Sequence, residues 1–390
     1  MRAAKMGCVG VVVAALSSGA IAQEGMADLN DMLVPIQQEF ALPALFAAVA
    51  KDGEIVAAGA VGERALGSGV AVTIDDRIHI GSDGKAMTAT IAGMLVESGD
   101  LRWDSTIGEV LGDAVPGMNP DLAAVTLDQL LSHSSGIPTD TEEMIDIYFN
   151  ANAFDNSPTA LRLMALDAWK HNAPVVPEGS PFQYANFGYM TAGAMIEAVT
   201  GQPWEALIRG RIYNPLGLES AGLGPTATTG LIDAAAGHLK QEDGTIEPRL
   251  WGSWADVPPL LAPVGMNHMS ILDFARWGAW NAGKGMRGPQ LVQPSTLAHI
   301  HAEKLRTPER PNPPPGTPKE GGYAYGWSIE KFDWAEEELL THNGSNNFNL
   351  AKILIDQDRD LAIVVVTNVG GRDSDLGAGK AMGELYQRYK

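Results

Sequence analysis

Ser82 and Lys85 are the residues whose types and spacing point most directly to chemistry in this chain. They lie at the head of a predicted helix, in the stretch 80–88, which continues into an apolar segment. Residues three apart on a helix share one face, with Cβ atoms about 5–6 Å apart. Because a serine hydroxyl is a weak nucleophile until a neighbour takes its proton, the pair predicts a nucleophile beside its base.

Lys85 can take that proton only in its neutral form. Its pKa would have to fall by several units from the ordinary value of about 10.4, through burial or nearby cations. A helix N-terminus also supplies backbone N–H groups that stabilise a negatively charged oxygen. We therefore expect Ser82 to act as a nucleophile at this helix start.

A second Ser-x-x-Lys sequence, Ser328 to Lys331, shows that the spacing alone proves little. Residues 323–332 are aromatic and β-branched, which predicts a strand, and residues three apart on a strand point to opposite faces. Ser328 and Lys331 are therefore not expected to meet. Residues 86–98 are mostly helix formers followed by Gly99, which predicts a helix with a glycine stop.

Tyr184 and Asn186 precede a helix predicted at 187–200. A phenol near the serine and lysine would shuttle a proton to a leaving group, and the amide would bind a substrate carbonyl or the lysine. Asn186 also occupies the position of a helix N-cap, and the two roles are compatible. The same Tyr-x-Asn spacing recurs at Tyr148 and Asn150, so it is weak evidence by itself.

His342, Gly344 and Ser345 end a predicted strand. Gly344 would allow close approach of a substrate to the backbone, and the N–H of Ser345 is a candidate oxyanion donor. His342 is either part of this site or a histidine in a structural turn. His133, in the polar loop 130–138, is interpreted as structural, bridging loop carbonyls.

Composition bounds the class of protein. The 390 residues are 45% hydrophobic, enough for a sizeable core in one large domain or two. Acidic residues outnumber basic ones by 47 to 27, giving a net charge of −20, which excludes a nucleic-acid partner. The expected partner is a small-molecule or peptide substrate, and the sequence does not indicate an oligomeric state.

Residues 1–22 have a basic start, a short apolar core and a small-x-small end, the pattern of a secretory signal peptide cleaved after Ala22. The apolar core is shorter than the roughly 20 residues that span a bilayer. Cleavage would remove Cys8, the only cysteine, and would leave no membrane anchor. We expect a periplasmic or secreted protein without disulfides.

Strands are predicted near both ends of the chain, at 44–50, 54–61, 338–342, 349–355 and 361–367. Residues between about 100 and 304 are predicted to be mainly helical. This order predicts an α/β (α+β) fold, with one antiparallel sheet flanked by helices and an inserted all-helical region. Residues 23–390 would form one domain, with its sheet in 23–99 and 305–390. The proline-rich stretch 307–318 is predicted to be a linker or surface loop.

No metal or cofactor is predicted. The histidines lack a metal-ligand spacing, apart from the weak pair His299 and His301. Gly84-Lys85 lacks the earlier glycine and the following Ser or Thr of a phosphate-binding loop. The Gly-x-Ser-x-Gly turn of α/β-hydrolases is also absent from the sequence.

Three motifs in order, Ser-x-x-Lys at 82–85, Tyr-x-Asn at 184–186 and His-x-Gly at 342–344, resemble the serine β-lactamase and penicillin-binding-protein superfamily. The sequences at 130–138 and 177–189 are also similar to its class C branch, which holds carboxylesterases and D-amino-acid peptidases. The resemblance covers nearly all of the chain from residue 28. It implies a β-lactamase/transpeptidase-like fold and a covalent acyl-enzyme mechanism.

The resemblance also implies a role for each matching residue. Ser82 would be the nucleophile, with Lys85 and Tyr184 as general base and proton relay. Asn186 would bind the substrate or the lysine. The backbone N–H groups of Ser82 and Ser345 would form the oxyanion hole.

Two positions depart from the family pattern. Gly84 replaces the usual Ser or Thr, which weakens helix propensity and is expected to open space beside the nucleophile. His342 replaces the lysine of β-lactamases, so a fixed positive charge for a substrate carboxylate is missing or depends on pH. An esterase or D-amino-acyl peptidase is therefore favoured over an efficient β-lactamase.

The sequence thus predicts an exported serine hydrolase, with carboxylesterase, D-aminopeptidase or carboxypeptidase, or β-lactamase activity. The alternative is a catalytically inert relative that binds cell-wall peptide or a protein partner. The intact Ser82, Lys85 and Tyr184 argue against that alternative. Loops at 140–157, 240–265 and 305–322 are expected to line the substrate pocket.

Overall fold

The computed structural model describes residues 25–150, 156–250, 256–313 and 316–390. The predicted signal peptide, residues 1–22 with its cleavage after Ala22, lies outside this described part. Within it, every helix is too short or too polar to cross a lipid bilayer.

The described residues contain fourteen strands and fourteen α-helices. Strands β1 to β14 are Ala27–Asp28, Ala44–Lys51, Glu54–Gly62, Ile78–His79, Gly222–Leu223, His238–Lys240, Ile246–Pro248, Asn267–Met269, Leu305–Arg306, Gly321–Tyr323, Ser328–Glu330, Leu339–Ser345, Leu350–Asp356 and Leu361–Thr367. Helices α1 to α14 are Asn30–Glu39, Lys85–Ser98, Ile107–Leu111, Pro120–Ala123, Leu127–Leu131, Glu142–Asn150, Pro158–Trp169, Asn186–Thr200, Trp204–Ile208, Asn214–Leu216, Ala262–Gly265, Ile271–Ala282, Pro294–His301 and Arg372–Tyr389. Short 3-10 turns occupy Gly81–Gly84 and Pro259–Leu261, and a π-helical turn occupies Arg209–Tyr213.

One nine-stranded sheet joins the two ends of the chain, in the order β1-β3-β2-β14-β13-β12-β11-β10-β9. All its neighbouring strands are antiparallel except β1 and β3. The hairpin predicted around Asp52 and Gly53 is confirmed, with both residues at the positive φ values that such a turn requires. The predicted fold class, a large sheet flanked by helices, is also confirmed.

Helices cover both faces of the sheet. On β14, Val364 and Val366 contribute to the core shared with α2 and α12, whereas Ile363 and Val365 contribute to the core shared with α1 and α14. A strand buried on both faces has a continuous apolar sequence, as Leu361–Thr367 does. Each such side chain stabilises the fold by about 1.5–3 kcal/mol through burial.

The single strand predicted at 323–332 is wrong. The chain forms two short strands, β10 and β11, separated by a turn at Gly326 with φ of 76°. A Cβ on Gly326 would lie 2.5 Å from the backbone nitrogen of Ala86, so the chain must turn over the start of α2. Ser328 lies on β11 and Lys331 lies beyond its end, with its ammonium donating to the carbonyl of Glu336.

The middle of the chain is mainly helical, but it also contributes two small sheets. Strand β8 pairs with both β4 and β5, and β6 pairs with β7. These strands have two or three residues each, too short to produce a periodic signal in the sequence. The first of these sheets matters for function, because β4 leads directly into the turn that carries Ser82.

Candidate active site

Ser82 lies on the 3-10 turn Gly81–Gly84, between β4 and α2. Two glycines allow this turn to touch the end of β12. A Cβ on Gly81, whose φ is 52°, would lie 2.4 Å from the nitrogen of Ser345, and a Cβ on Gly344 would lie 1.8 Å from the Ile80 oxygen. Since real Cβ contacts are longer, only glycine permits this approach. The backbone of Ser82 and that of Ser345 are thereby held side by side, as an oxyanion hole requires.

Lys85, the first residue of α2, is fully buried and faces the nucleophile. Its Nζ donates to Ser82 Oγ at 2.9 Å, to Asn186 Oδ1 at 2.9 Å and to the carbonyl oxygen of Val264 at 3.2 Å. An ammonium group has three N–H donors, so all three are satisfied. When the amine is neutral, its lone pair replaces one donor and can accept the Ser82 proton.

Burial lowers the pKa of Lys85 to about 7. The negative charges of Asp140 and Asp83 raise the pKa of Lys85, but their effects are smaller than that of burial. Because desolvation penalises the charged amine, a substantial fraction of Lys85 is neutral near neutral pH. The condition that the sequence placed on a lysine base is therefore met in this fold.

Tyr184 lies on the other side of the nucleophile. Its hydroxyl lies close enough to the Ser82 side chain to influence its own pKa, and its ring centroid lies 4.7 Å from Lys85 Nζ. Burial raises the pKa of Tyr184 well above its ordinary value. The phenol is therefore protonated at neutral pH and can donate to a leaving group. Thr139 fixes this segment by donating from Oγ1 to the carbonyl of Tyr184 at 2.7 Å.

Asn186 is the first residue of α8 and does not cap that helix, contrary to the sequence prediction. The capping position belongs to Ala185, and no side chain satisfies the first N–H groups. The amide of Asn186 instead contacts Lys85 through Oδ1 and Asp140 through Nδ2, the latter at 2.6 Å. Hydrogen bonds to Lys85 and Asp140 thus replace the N-cap hydrogen bond that the side chain of Asn186 was predicted to make.

His342 is buried beside the nucleophile turn, on β12. Its Nδ1 lies 3.2 Å from Asp83 Oδ1, and its Nε2 lies 3.2 Å from the Tyr323 hydroxyl. Burial, with a smaller contribution from Lys85, lowers the pKa of His342 to about 3. The imidazole is therefore neutral at neutral pH, and position 342 provides no positive charge for a substrate carboxylate there.

The expectation that Gly84 opens space is wrong. A Cβ at this position would lie 2.6 Å from Asn267 Nδ2, so the amide of Asn267 already fills the volume of the missing side chain. Asn267 lies on β8, whose carbonyl at the same residue accepts from the N–H of Ile80. The glycine thus lets β8 lie close to the nucleophile turn.

His133 is structural, but it does not bridge carbonyls as predicted. Its Nδ1 accepts from the N–H of Ala185 at 3.1 Å, and its carbonyl accepts from the N–H of Gln183 at 2.8 Å. Its ring also lies against that of Tyr184, with centroids 4.3 Å apart. The residue therefore fixes the segment that carries Tyr184.

Two acidic residues of the site have no motif in the sequence. Asp140 accepts from Asn186 Nδ2 and, at 3.0 Å, from the hydroxyl of Tyr148. Asp256 Oδ1 lies 3.0 Å from His79 Nε2 and accepts from Asn346 Nδ2 at 3.2 Å, so it links the chain segments that carry Ser82 and Ser345. The only sequence signal for Asp140 was Tyr148, which resembled a chance repeat of the Tyr-x-Asn pattern.

A cleft of about 290 Å³ opens beside Tyr184 and His342. Of the loops expected to line the pocket, the third contributes Thr307, Pro308 and Arg310 to this cleft. The Arg310 guanidinium is paired with Glu330, which also lines the cleft. Residues 151–155, 251–255 and 314–315 of these loops lie outside the described residues. Across the described ranges, groups of three His, Cys, Asp or Glu side chains placed to hold a metal ion are absent.

Comparison with known proteins finds relatives that match most of this chain. Penicillin-binding protein 4 of Amycolatopsis lactamdurans is 25% identical over 339 residues, which cover 86% of this chain and 83% of that protein. An unguisins hydrolase of Aspergillus campestris is 26% identical over 321 residues, 80% of this chain but only 55% of that protein. The chain therefore spans about half the length of the latter relative.

The solved structure of D-amino acid amidase from Ochrobactrum anthropi SV3 has the same fold. Its TM-score is 0.70 at 19% identity, with 92% of this chain and 99% of that chain covered. Residues 22–386 match the Beta-lactamase family as a whole. The chain therefore belongs to the Beta-lactamase family, within the superfamily that also contains penicillin-binding proteins.

Proposed function

We propose that this protein is an exported serine hydrolase that acts through an acyl-Ser82 intermediate. The observation that carries the proposal is the hydrogen bond of 2.9 Å between Lys85 Nζ and Ser82 Oγ, in a setting that lowers the pKa of the lysine to about 7. A neutral amine at that distance is a competent base for a serine hydroxyl.

In the acylation step, Ser82 Oγ attacks the substrate carbonyl carbon while its proton passes to Lys85 Nζ. The backbone N–H groups of Ser82 and Ser345 stabilise the oxyanion that forms. Tyr184 donates its proton to the leaving group and regains one from Lys85. The carbonyl bond to the leaving group then breaks, and water later releases the acyl group from Ser82 by the reverse proton path.

The proposed substrate is an ester, or a D-amino-acyl peptide or amide, rather than a β-lactam. His342 is neutral, and the Arg310 guanidinium in the cleft is already paired with Glu330. A β-lactam carboxylate would therefore meet little free positive charge. The fold shared with a D-amino acid amidase supports the amide option without selecting a substrate.

The test is covalent labelling with a small fluorophosphonate, followed by intact mass. We expect one adduct on the wild type and none on Ser82→Ala, whose turnover should fall by about 10⁴–10⁶. Ser328→Ala is the control for a second nucleophile. Ser328 lines the cleft but has no lysine beside it among the described residues, so this variant should still take one adduct. The same spectrum reports whether residues 1–22 have been removed from protein collected outside the cytoplasm.

An adduct that persists on Ser82→Ala would contradict the proposal. If the wild type takes no label but retains cell-wall peptide in a pull-down, the inert binding protein becomes the better account. Unlabelled protein from the same preparation would next be offered p-nitrophenyl esters, D-amino-acid amides and a chromogenic β-lactam, and we expect the β-lactam to be turned over most slowly.

A further inference from the structure

Asp140 lies in the loop between α5 and α6, outside the three motifs of the family. It is partly exposed, and both of its carboxylate oxygens have partners. Oδ2 accepts from Asn186 Nδ2 at 2.6 Å, and Oδ1 accepts from the Tyr148 hydroxyl at 3.0 Å. The preceding residue, Thr139, holds the carbonyl of Tyr184. This short loop is therefore hydrogen-bonded to the Tyr-x-Asn segment at both Tyr184 and Asn186.

The amide of Asn186 has one accepting side and one donating side, and only the accepting side suits Lys85. If the amide turned over, its NH₂ group would face the N–H groups of the lysine, and a hydrogen bond would become a repulsion. A carboxylate can only accept hydrogen bonds. A carboxylate on the far side of the amide therefore selects the orientation that directs Oδ1 to Lys85.

We propose that Asp140 is a positioning residue of the catalytic base, which fixes the Asn186 amide and supplies a negative charge near Lys85. The inference rests on the proposed function, since it assigns a role within the same acylation machinery. Asp140 acts through Asn186 and does not touch the reacting atoms.

The charge of Asp140 matters because it opposes the desolvation that lowers the pKa of Lys85. The titratable groups that face the lysine from the surrounding elements are Asp83, Asp140, Tyr184, Tyr189, His133 and His342. Burial lowers the pKa of both histidines and raises the pKa of both tyrosines. Burial also raises the pKa of Asp83 well above its ordinary value. Of the two carboxylates that favour a proton on Lys85, Asp140 has the larger effect and Asp83 the smaller.

The experiment titrates Lys85 directly. Protein with ¹³C at lysine Cε is followed by NMR across pH, and the Lys85 signal is identified by its loss in Lys85→Met. Asp140→Asn keeps an oxygen that accepts from Asn186 but removes the charge, so the Lys85 midpoint should fall by about one pH unit. Tyr148→Phe is the matched control: it removes the other hydrogen bond to Asp140, leaves the charge in place, and should keep the wild-type midpoint.

The rate of fluorophosphonate labelling is the second readout. Asp140→Ala removes both the charge and the hydrogen bond, so its Lys85 midpoint should fall as well. Its Asn186 amide is also free to turn. At pH values above the Lys85 midpoint, labelling should therefore be at least about tenfold slower than in the wild type. Asp140→Asn should remain within about threefold of the wild type there. Asp140→Glu, which keeps the charge, should restore the wild-type midpoint.

An unchanged Lys85 midpoint in Asp140→Asn or Asp140→Ala would overturn the inference, as would a wild-type labelling rate in Asp140→Ala. The failure of the proposed function is distinguishable. A shifted Lys85 midpoint in a protein whose Ser82 takes no label would support the role of Asp140 toward the lysine and contradict the serine hydrolase.

Discussion

The amine of Lys85 is surrounded by three acceptors, on Ser82, Asn186 and Val264, which would suit a permanently charged ammonium. Desolvation works against that charge and brings the pKa of Lys85 to about 7. Desolvation outweighs the opposing charges, so the charged and the neutral amine coexist near neutral pH. A base poised in this way accepts a proton readily and also returns it.

The acylation rate should therefore follow the protonation of Lys85. Only the neutral amine accepts the Ser82 proton, so the labelling rate should rise with pH through about 7 and then level off. Tyr184, whose pKa is raised by burial, stays protonated across this range and adds no falling limb. The measurement is the pH dependence of the fluorophosphonate rate constant in wild type and Lys85→Ala.

Lys85→Ala should lose the rising limb and most of the rate. Lys331→Ala, the lysine of the second Ser-x-x-Lys sequence, should keep the wild-type profile. A Lys85→Ala protein that labels at the wild-type rate would remove this lysine from the role of base.

Among the residues of the site, sequence could identify those that share a helix or a short motif. Ser82 and Lys85 lie within one turn of each other, and their contact follows from helical geometry. Asp140 meets Asn186 across 46 positions of the chain, and Asp256 meets Asn346 across 90. Such pairs depend on how loops cross in the fold, which local periodicity does not encode.

At the scale of elements, helices and hairpins with strong periodicity were predictable. The helix predicted at 86–98 is present as Lys85–Ser98, and Gly99 ends it with φ of 81°. The turn within residues 323–332 was not predictable in this way, because Gly326 must turn the chain over the start of α2. A contact with another element overrode the local preference for a strand.

The contact between the nucleophile turn and β8 gives a testable prediction at this scale. Gly84→Ser introduces a residue type usual in the family. Its Cβ would lie only 2.6 Å from Asn267 Nδ2, which is too close for two atoms that are not bonded. Overpacking of this kind should lower the free energy of unfolding by about 1–3 kcal/mol. Asn267→Ala removes the obstacle, so the double variant should recover part of the loss.

The measurement is a double-mutant cycle from urea unfolding curves of the four proteins. Gly379→Ser on α14 controls for the general cost of replacing a glycine, because a Cβ there meets open space and its φ is not positive. Additive losses from Gly84→Ser and Asn267→Ala would show that the two residues do not compete for the same volume.

On the scale of the whole molecule, the site is assembled from distant parts of one chain. Strand β14 pairs with β2 at the centre of the sheet, so Thr367 lies opposite Leu45. Strand β12, with His342 and Ser345, lies two strands beyond β14 and contacts the turn that carries Ser82. Sequence could predict that both ends supply strands, but the pairing order depends on which apolar faces fit together.

Buried neutral histidines should make the stability of the molecule depend on pH. Burial lowers the pKa of His268 to about 4 and those of His301 and His342 to about 3. In the unfolded chain each would titrate near its ordinary value of about 6.5. Above that pH neither state takes up the proton, and below it only the unfolded state does. Stability should therefore fall between about pH 6.5 and the folded-state values, by about 1.4 kcal/mol per pH unit for each histidine.

His301 lies away from the candidate site, so its contribution to the pH dependence of stability can be measured separately. Its Nε2 contacts Asn281 Oδ1 at 3.1 Å and its Nδ1 contacts Gln357 Nε2 at 3.0 Å, so a neutral ring satisfies both partners. His301→Gln removes the titration, and its loss of stability between about pH 7 and about pH 5 should be smaller than that of the wild type by about 2 kcal/mol. The exposed His171→Gln, compared by the same urea unfolding curves, should show the wild-type loss. Equal losses in the wild type and His301→Gln would mean that His301 accepts its proton in the folded state, and that burial at this position does not exclude the charge.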